Sequence, residues 1–217
     1  MFARIYDLLM EDIDFEPFLS FLSEHLKKDQ LILDAGCGSG YIYQGLRLKG
    51  YEVIGIDNDS MMLSLAKEKC DKAHIDAKLY EHDLKNPIPV KVDAIVMMFD
   101  VINYFKGVKQ LIKRLMNALN SDGFLLFDCY KEEMLSVYNN YEEFDDSIIP
   151  YTWKTISNKD TITHNIDVDN NTYTIKQYIQ SLDYYIEIMK AFNYAFEIID
   201  GPDERKHYIK VYKSKNN

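Results

Sequence analysis

The 217-residue chain carries 35 acidic against 25 basic side chains, a formal net charge of −10, with 47% hydrophobic and 28% charged residues. Such a balance excludes a disordered chain, and its average charge repels a phosphate backbone, so no nucleic-acid partner is expected. No apolar run approaches the ~18 residues that a membrane helix needs, so no membrane partner is expected either.

The first periodic segment runs through Phe15, Phe18, Leu19, Leu22 and Leu26, an apolar stripe at helical spacing with Asp14 placed to cap it. A short strand, Leu31 to Leu33, then runs into glycines. A helix is predicted from Tyr41 to Lys49, ended by Gly50, and a strand from Tyr51 to Ile56 delivers Asp57. A second helix reads from Ser60 to Cys70. Ala77 to Tyr80 is a short strand ending near Asp83, and Val92 to Met98 is a continuous apolar strand. Val108 to Leu119 forms a crossover helix, Asn120 to Gly123 a turn, and Phe124 to Cys129 a fifth strand. Five strands alternating with four helices predict an α/β fold, a doubly wound and mostly parallel sheet covered on both faces.

After Tyr130 the rhythm changes. Lys131 to Phe144 reads as helix, followed by three β-rich segments, 148–157, 161–168 and 173–180, separated by polar turns. A helix from Leu182 to Phe192 and two strands, Ala195 to Ile199 and Tyr208 to Tyr212, bring the main sheet to seven. The chain is therefore expected to be a single domain over 1–217, with 131–180 an inserted lid or small antiparallel sheet. Cys37, Cys70 and Cys129 have no metal-ligand spacing and read as free, partly buried thiols. With no charged-then-apolar leader at the start, a cytoplasmic protein without a metal site is expected. The basic residues are scattered, with short groups at Lys27-Lys28 and from Lys210 to Lys215.

A strand ending in Asp34, then Gly36, Gly38 and Gly40, then a helix, brings a ligand against bare backbone. Asp57 ends the next strand, where a carboxylate accepts hydrogen bonds from the two hydroxyls of a ribose. A nucleoside-containing cofactor follows. The spacing G-x-G-x-G departs from the dinucleotide fingerprint, because the third glycine would have to stand at Tyr41 or Tyr43. Asp34 beside the turn suits a ligand bearing an ammonium group and not a pyrophosphate. No Gly-Lys-Ser/Thr follows, which excludes a Walker-type phosphate site.

LILDAGCGSG resembles motif I of class I S-adenosylmethionine-dependent methyltransferases. GIDNDSMML with Ala66 after it resembles their second-strand signature, MMFDVINY their fourth-strand motif, and SDGFLLFD the start of their fifth strand. The opening YDLLMEDIDFEPF is similar to small bacterial members related to the glycine and sugar N-methyltransferases. The resemblance covers residues 5 to 130. It implies a Rossmann-like methyltransferase fold, with S-adenosylmethionine as cofactor. It also implies Gly36 and Gly38 on the methionine moiety with Asp34 near its ammonium, and Asp57 on the ribose. Asn58 and Met62 would flank the adenine, Asp83 would accept from the adenine amine and Leu84 would lie alongside. Phe99 and Asp100 would border the methyl-transfer site and Tyr6 would cover it. The family's usual Ser or Pro after the second-strand acid is replaced here by Asp59-Ser60, which leaves open the local helix cap but not Asp57 itself. The competing readings of Asp57 are a solvated strand-end acid and a cap for the helix from Ser60.

The expected reaction is in-line methyl transfer to N or O of a small-molecule acceptor, and Asp100 is the candidate base. Asn103 and Tyr104 lie on the acceptor side. His82 reads as a loop histidine, and a monomer or homodimer is expected. The alternative is a non-catalytic S-adenosylmethionine-binding or interaction protein whose lid is a partner surface.

Overall fold

The computed structural model describes residues 2–147 and 149–213. The predicted start of the inserted strands at residue 148 and the end of the basic group at residue 215 lie outside them. The chain opens with a helix the periodicity did not predict, α1 (Phe2–Leu9). α2 (Glu16–His25) follows, with Pro17 in its first turn and Asp14 Oδ1 accepting the Glu16 N–H at 3.0 Å. The alternation then holds through β1 (Leu31–Ala35), α3 (Tyr41–Leu48), β2 (Glu52–Asp57), α4 (Ser60–Lys72), β3 (Leu79–Glu81) and β4 (Val92–Met97). A 3-10 turn (Val101–Tyr104), α5 (Val108–Ala118) and β5 (Leu119–Tyr130) complete the parallel part. After the insertion come α7 (Leu182–Ala191), β10 (Tyr194–Ile199) and β11 (Lys206–Lys213).

The seven strands lie in the order β10-β11-β5-β4-β1-β2-β3. All neighbours are parallel except β11, which runs antiparallel to both β5 and β10. The order reverses between β1 and β4, so a crevice opens beyond their carboxyl ends, where doubly wound sheets bind ligands. β1, β4 and residues 123–129 of β5 are almost wholly buried, as strands covered on both faces must be. On one face Leu111, Leu115, Tyr185 and Met189 pack against β4 and β5. On the other, Leu22, Tyr43, Leu46 and Cys70 do the same for β1 and β2. All three cysteines are free and buried.

Two elements differ from the expected ones. The predicted turn at 120–123 is absorbed into β5 as a bulge, because Val92 pairs with Leu119 and Ala94 with Phe124. Asp93 holds that bulge, accepting from Asn120 Nδ2 at 2.7 Å and from the Leu31 N–H at 2.9 Å. The predicted helix over Lys131 to Phe144 shrinks to α6 (Met134–Val137), and Glu142–Asp145 becomes a strand, β6. Asn140 stands at φ +57°, a conformation that ends a helix, and the remaining residues gain a β partner instead.

The insertion is thus a four-stranded antiparallel sheet, with β7 (Tyr151–Asn158), β8 (Thr161–Val168) and β9 (Asn171–Tyr178) beside β6. Its last hairpin turns on Asp169 and Asn170, both at positive φ, the geometry that matches strand twist in a two-residue turn. Met134, Ile162 and Ile179 form a small core between α6 and this sheet. Among the described residues, no helix is long and apolar enough to cross a membrane.

Candidate active site

The glycine turn folds back on the neighbouring strand. The N–H groups of Gly36 and Cys37 both donate to the Ile56 carbonyl, at 2.8 and 3.0 Å, and the Gly38 N–H donates to Asp57 Oδ2 at 2.9 Å. Gly36 (φ +81°) and Gly38 (φ +51°) adopt the left-handed conformation that glycine tolerates. A Cβ on Gly36 would meet Val101 Cγ1 at 2.6 Å, whereas one on Gly38 would meet no atom within 4 Å. The backbone is therefore bare where it faces the crevice.

Two carboxylates flank this turn. Asp57 Oδ1 accepts the Asp59 N–H at 2.9 Å, while Asp59 itself caps α4 by accepting from Met61 at 2.8 Å. The cap of α4 is thus Asp59 and not Asp57. Asp34 is 2% exposed, and its Oδ2 has no hydrogen-bond partner among the described residues. Burial, with the nearby charge of Asp57 second, pushes its carboxyl up to about 7.

Beyond the strand ends lies a cavity of about 340 Å³, lined by every predicted site residue except one. Asp34, Gly36, Gly38 and Asp57 form one part of its wall, and Asn58, Met62, Asp83 and Leu84 another. Tyr6, from the unpredicted α1, and Phe99 line it as well. α1 is held in place by an ion pair between Asp7 and Lys69 of α4, and by the Tyr41 hydroxyl donating to the Asp7 carbonyl at 3.1 Å.

Asp100 is the exception and requires correction: it does not line the cavity. Its carboxylate accepts from Lys206 Nζ at 2.6 Å and from Gln177 Nε2, and so is engaged inside the protein. Phe99 and Asp100 both stand at positive φ (+62° and +52°), a strained pair for residues with side chains. Asp128, fully buried at the end of β5, holds the pair by accepting both backbone N–H groups, at 3.0 and 2.5 Å, and Lys206 Nζ lies 3.2 Å from it.

Sequence reasoning missed Asp128, Lys206 and Gln177. β11 carries three lysines, Lys206, Lys210 and Lys213, and nothing local marks Lys206 as the buried one. Asn103 is a fully buried tie, donating to the Tyr178 carbonyl at 2.8 Å and accepting the Tyr130 N–H at 3.1 Å. The insertion reaches the cavity through Ile175, next to Tyr104 and Phe105. Tyr104 is 42% exposed as a residue, but its hydroxyl hydrogen-bonds Gln177, and desolvation of that hydroxyl, then Tyr6 and Asp100, raises the phenol well above the usual range. His82 lines the cavity with a buried Nε2 that has no hydrogen-bond partner among the described residues.

Comparison with known proteins agrees with this geometry. Residues 32–123 match a methyltransferase domain family. The chain is 30% identical over 169 residues to the putative methyltransferase YqeM of Bacillus subtilis, covering 75% of this chain and 68% of that protein. Among solved structures, an S-adenosylmethionine-dependent methyltransferase from Clostridium acetobutylicum superposes with a TM-score of 0.82 at 23% identity, covering 99% of this chain and 98% of the other. The sugar N-methyltransferase KedS8 from Streptoalloteichus superposes with a TM-score of 0.78 at 14% identity, covering 96% and 93%. At those identities the two structures speak for the fold, and the sequence relationship to YqeM speaks for the family. The chain belongs to the class I S-adenosylmethionine-dependent methyltransferases.

Proposed function

We propose that this methyltransferase acts on the nitrogen or oxygen of a small-molecule acceptor. The observation that carries the reading is the pairing of Asp34 and Asp57 in one cavity at the switch point of the sheet, beside a bare glycine turn. The unpartnered Asp34 oxygen suits the ammonium of the cofactor, and the open space at Gly38 admits its methionine chain. Asp57 holds the ribose hydroxyls, Asn58 and Met62 flank the adenine, and Asp83 with Leu84 closes its far edge. Asp83 Oδ1 already accepts the Lys85 N–H at 2.8 Å, which orients the carboxylate. S-adenosylmethionine supplies a methyl group on a sulfonium, already activated for displacement.

The protein's own task is then orientation and exclusion of water, worth up to ~7–11 kcal/mol in well-aligned reactions. Tyr6 and Phe99 border the transfer point, while Tyr104, Phe105 and Ile175 wall the acceptor side. The inserted sheet, residues 131–180, serves as a lid over that side, on a single domain. Incubation with methyl-labelled S-adenosylmethionine and a panel of small metabolites tests the reading. Label transferred to a small molecule supports it. Tight cofactor binding without transfer to any acceptor, or transfer only to protein or nucleic acid, refutes it.

A further inference from the structure

We propose that the acceptor nucleophile is an amine, recognised as a small cation by aromatic rings in a cavity that no lysine or arginine among the described residues lines, and attacking as the free base. The inference rests on the cofactor reading above and narrows it to one acceptor chemistry.

The first supporting observation is charge. Four carboxylates line the cavity, Asp34, Asp57 and Asp83 engaged by the cofactor on that reading and Asp59 by the α4 cap, and no lysine or arginine among the described residues lines it. Lys206 Nζ lies 5.2 Å from the centre of the Phe99 ring but is bonded to Asp100 and Asp128. A carboxylate or phosphate acceptor would find no cationic side chain to pair with. Beside Ile175, the acceptor end carries the aromatic rings of Tyr6, Phe15, Tyr104 and Phe105, surroundings that attract an organic cation.

The second observation concerns proton transfer. An alcohol must lose its proton as it attacks, which calls for a base within hydrogen-bond reach. At the aromatic end the oxygens on offer are the phenols of Tyr6 and Tyr104. Burial comes first in raising both phenols, and Asp100 adds to it, so near neutral pH they are hydrogen-bonding groups and not bases. The Asp100 carboxylate is taken up by Lys206 and Gln177. An amine needs no base at that moment. Its ammonium form gives a proton to water, and the freed lone pair forms the N–C bond. The C–S bond breaks with its electrons on sulfur, and the positive charge passes to the methylated nitrogen.

Three probes of nearly the same shape test this by calorimetry on enzyme saturated with S-adenosylhomocysteine: tetramethylammonium, neopentyl alcohol and pivalate. Tetramethylammonium is expected to bind at least tenfold tighter than either isostere. Tyr104→Leu is expected to weaken it at least fivefold while S-adenosylhomocysteine affinity stays unchanged. The amine assignment is overturned, with the cofactor reading intact, by an isostere that matches tetramethylammonium. No measurable tetramethylammonium binding, or binding indifferent to Tyr104→Leu, overturns it in the same way. Failure of S-adenosylhomocysteine itself to bind overturns both.

Discussion

Lys206 and Asp100, 106 positions apart in the chain, meet at 2.6 Å inside the protein. Burial works against the lysine's charge, but Asp100 and Asp128 outweigh it and hold the ammonium charged well above its usual range. Breaking a buried pair from one side leaves its partner's charge uncompensated. Lys206→Met should therefore cost roughly 3–5 kcal/mol in equilibrium urea unfolding. Asp100→Asn in the same background should recover part of the loss. A single-variant cost below about 1 kcal/mol would contradict this account of the cluster.

Asp57 is expected to act twice, on the cofactor and on the glycine turn. A charge-assisted hydrogen bond contributes ~1.5–3 kcal/mol, so Asp57→Ala should weaken S-adenosylmethionine binding at least tenfold by calorimetry. It should also raise amide exchange at Gly38, whose N–H loses its acceptor. An unchanged dissociation constant would remove Asp57 from the site.

On the proposed reading, Asp34 should make cofactor affinity depend on pH. Its folded pKa, about 7, lies above the unfolded value, so the protonated acid is the form the fold favours. The stability of the cofactor-free protein should fall as pH rises from about 4 to 7, since only the unfolded chain gives up the proton over that range. An ammonium beside Asp34 reverses the preference. Affinity should then rise by up to about tenfold per pH unit below 7 and level off above it. Asp34→Asn should flatten most of that slope, and calorimetry in buffers of different ionisation enthalpy should register one proton released. A pH-independent affinity in the unmodified protein would contradict the pairing.

Trp153, the single tryptophan, reports on the inserted sheet. Its indole N–H donates to His164 Nδ1 at 3.1 Å, and His164 Nε2 lies 2.9 Å from Gln177 Oε1. An indole can only donate, so the imidazole carries its proton on Nε2 and donates to Gln177. Burial lowers the His164 pKa from its ordinary value of 6.5. The folded protein should therefore keep its full stability above that value and lose it as pH falls through the depressed one. Trp153 emission should titrate with a midpoint below 6.5, and His164→Gln should abolish the titration. A midpoint at or above the ordinary value would show that the bond does not hold the neutral ring.

The parallel sheet and the glycine turn were legible because their signals are local. Apolar runs, helix stripes and the spacing from Asp34 to Asp57 each lie within a few tens of residues. α1 was not legible, since Phe2 to Leu9 is eight residues long and carries no acidic residue in its first turn. The segment 131–144 misled because Met134 and Leu135 read as helix, while the partner that turns Glu142–Asp145 into a strand lies further along the chain. Asp100 was misassigned for a related reason. Nothing near it in sequence reveals that Lys206 and Gln177 fold back to claim its carboxylate.

The inserted sheet meets the rest of the site along β9, with Gln177 on Asp100 and Tyr104, Tyr178 on Asn103, and Ile175 at the cavity wall. The donor pocket shares no strand with it. On the reading proposed here, substitutions along β9 can change which molecule is modified without disturbing how the methyl group is delivered. Evolution can then redirect such an enzyme by editing eight residues of one edge strand.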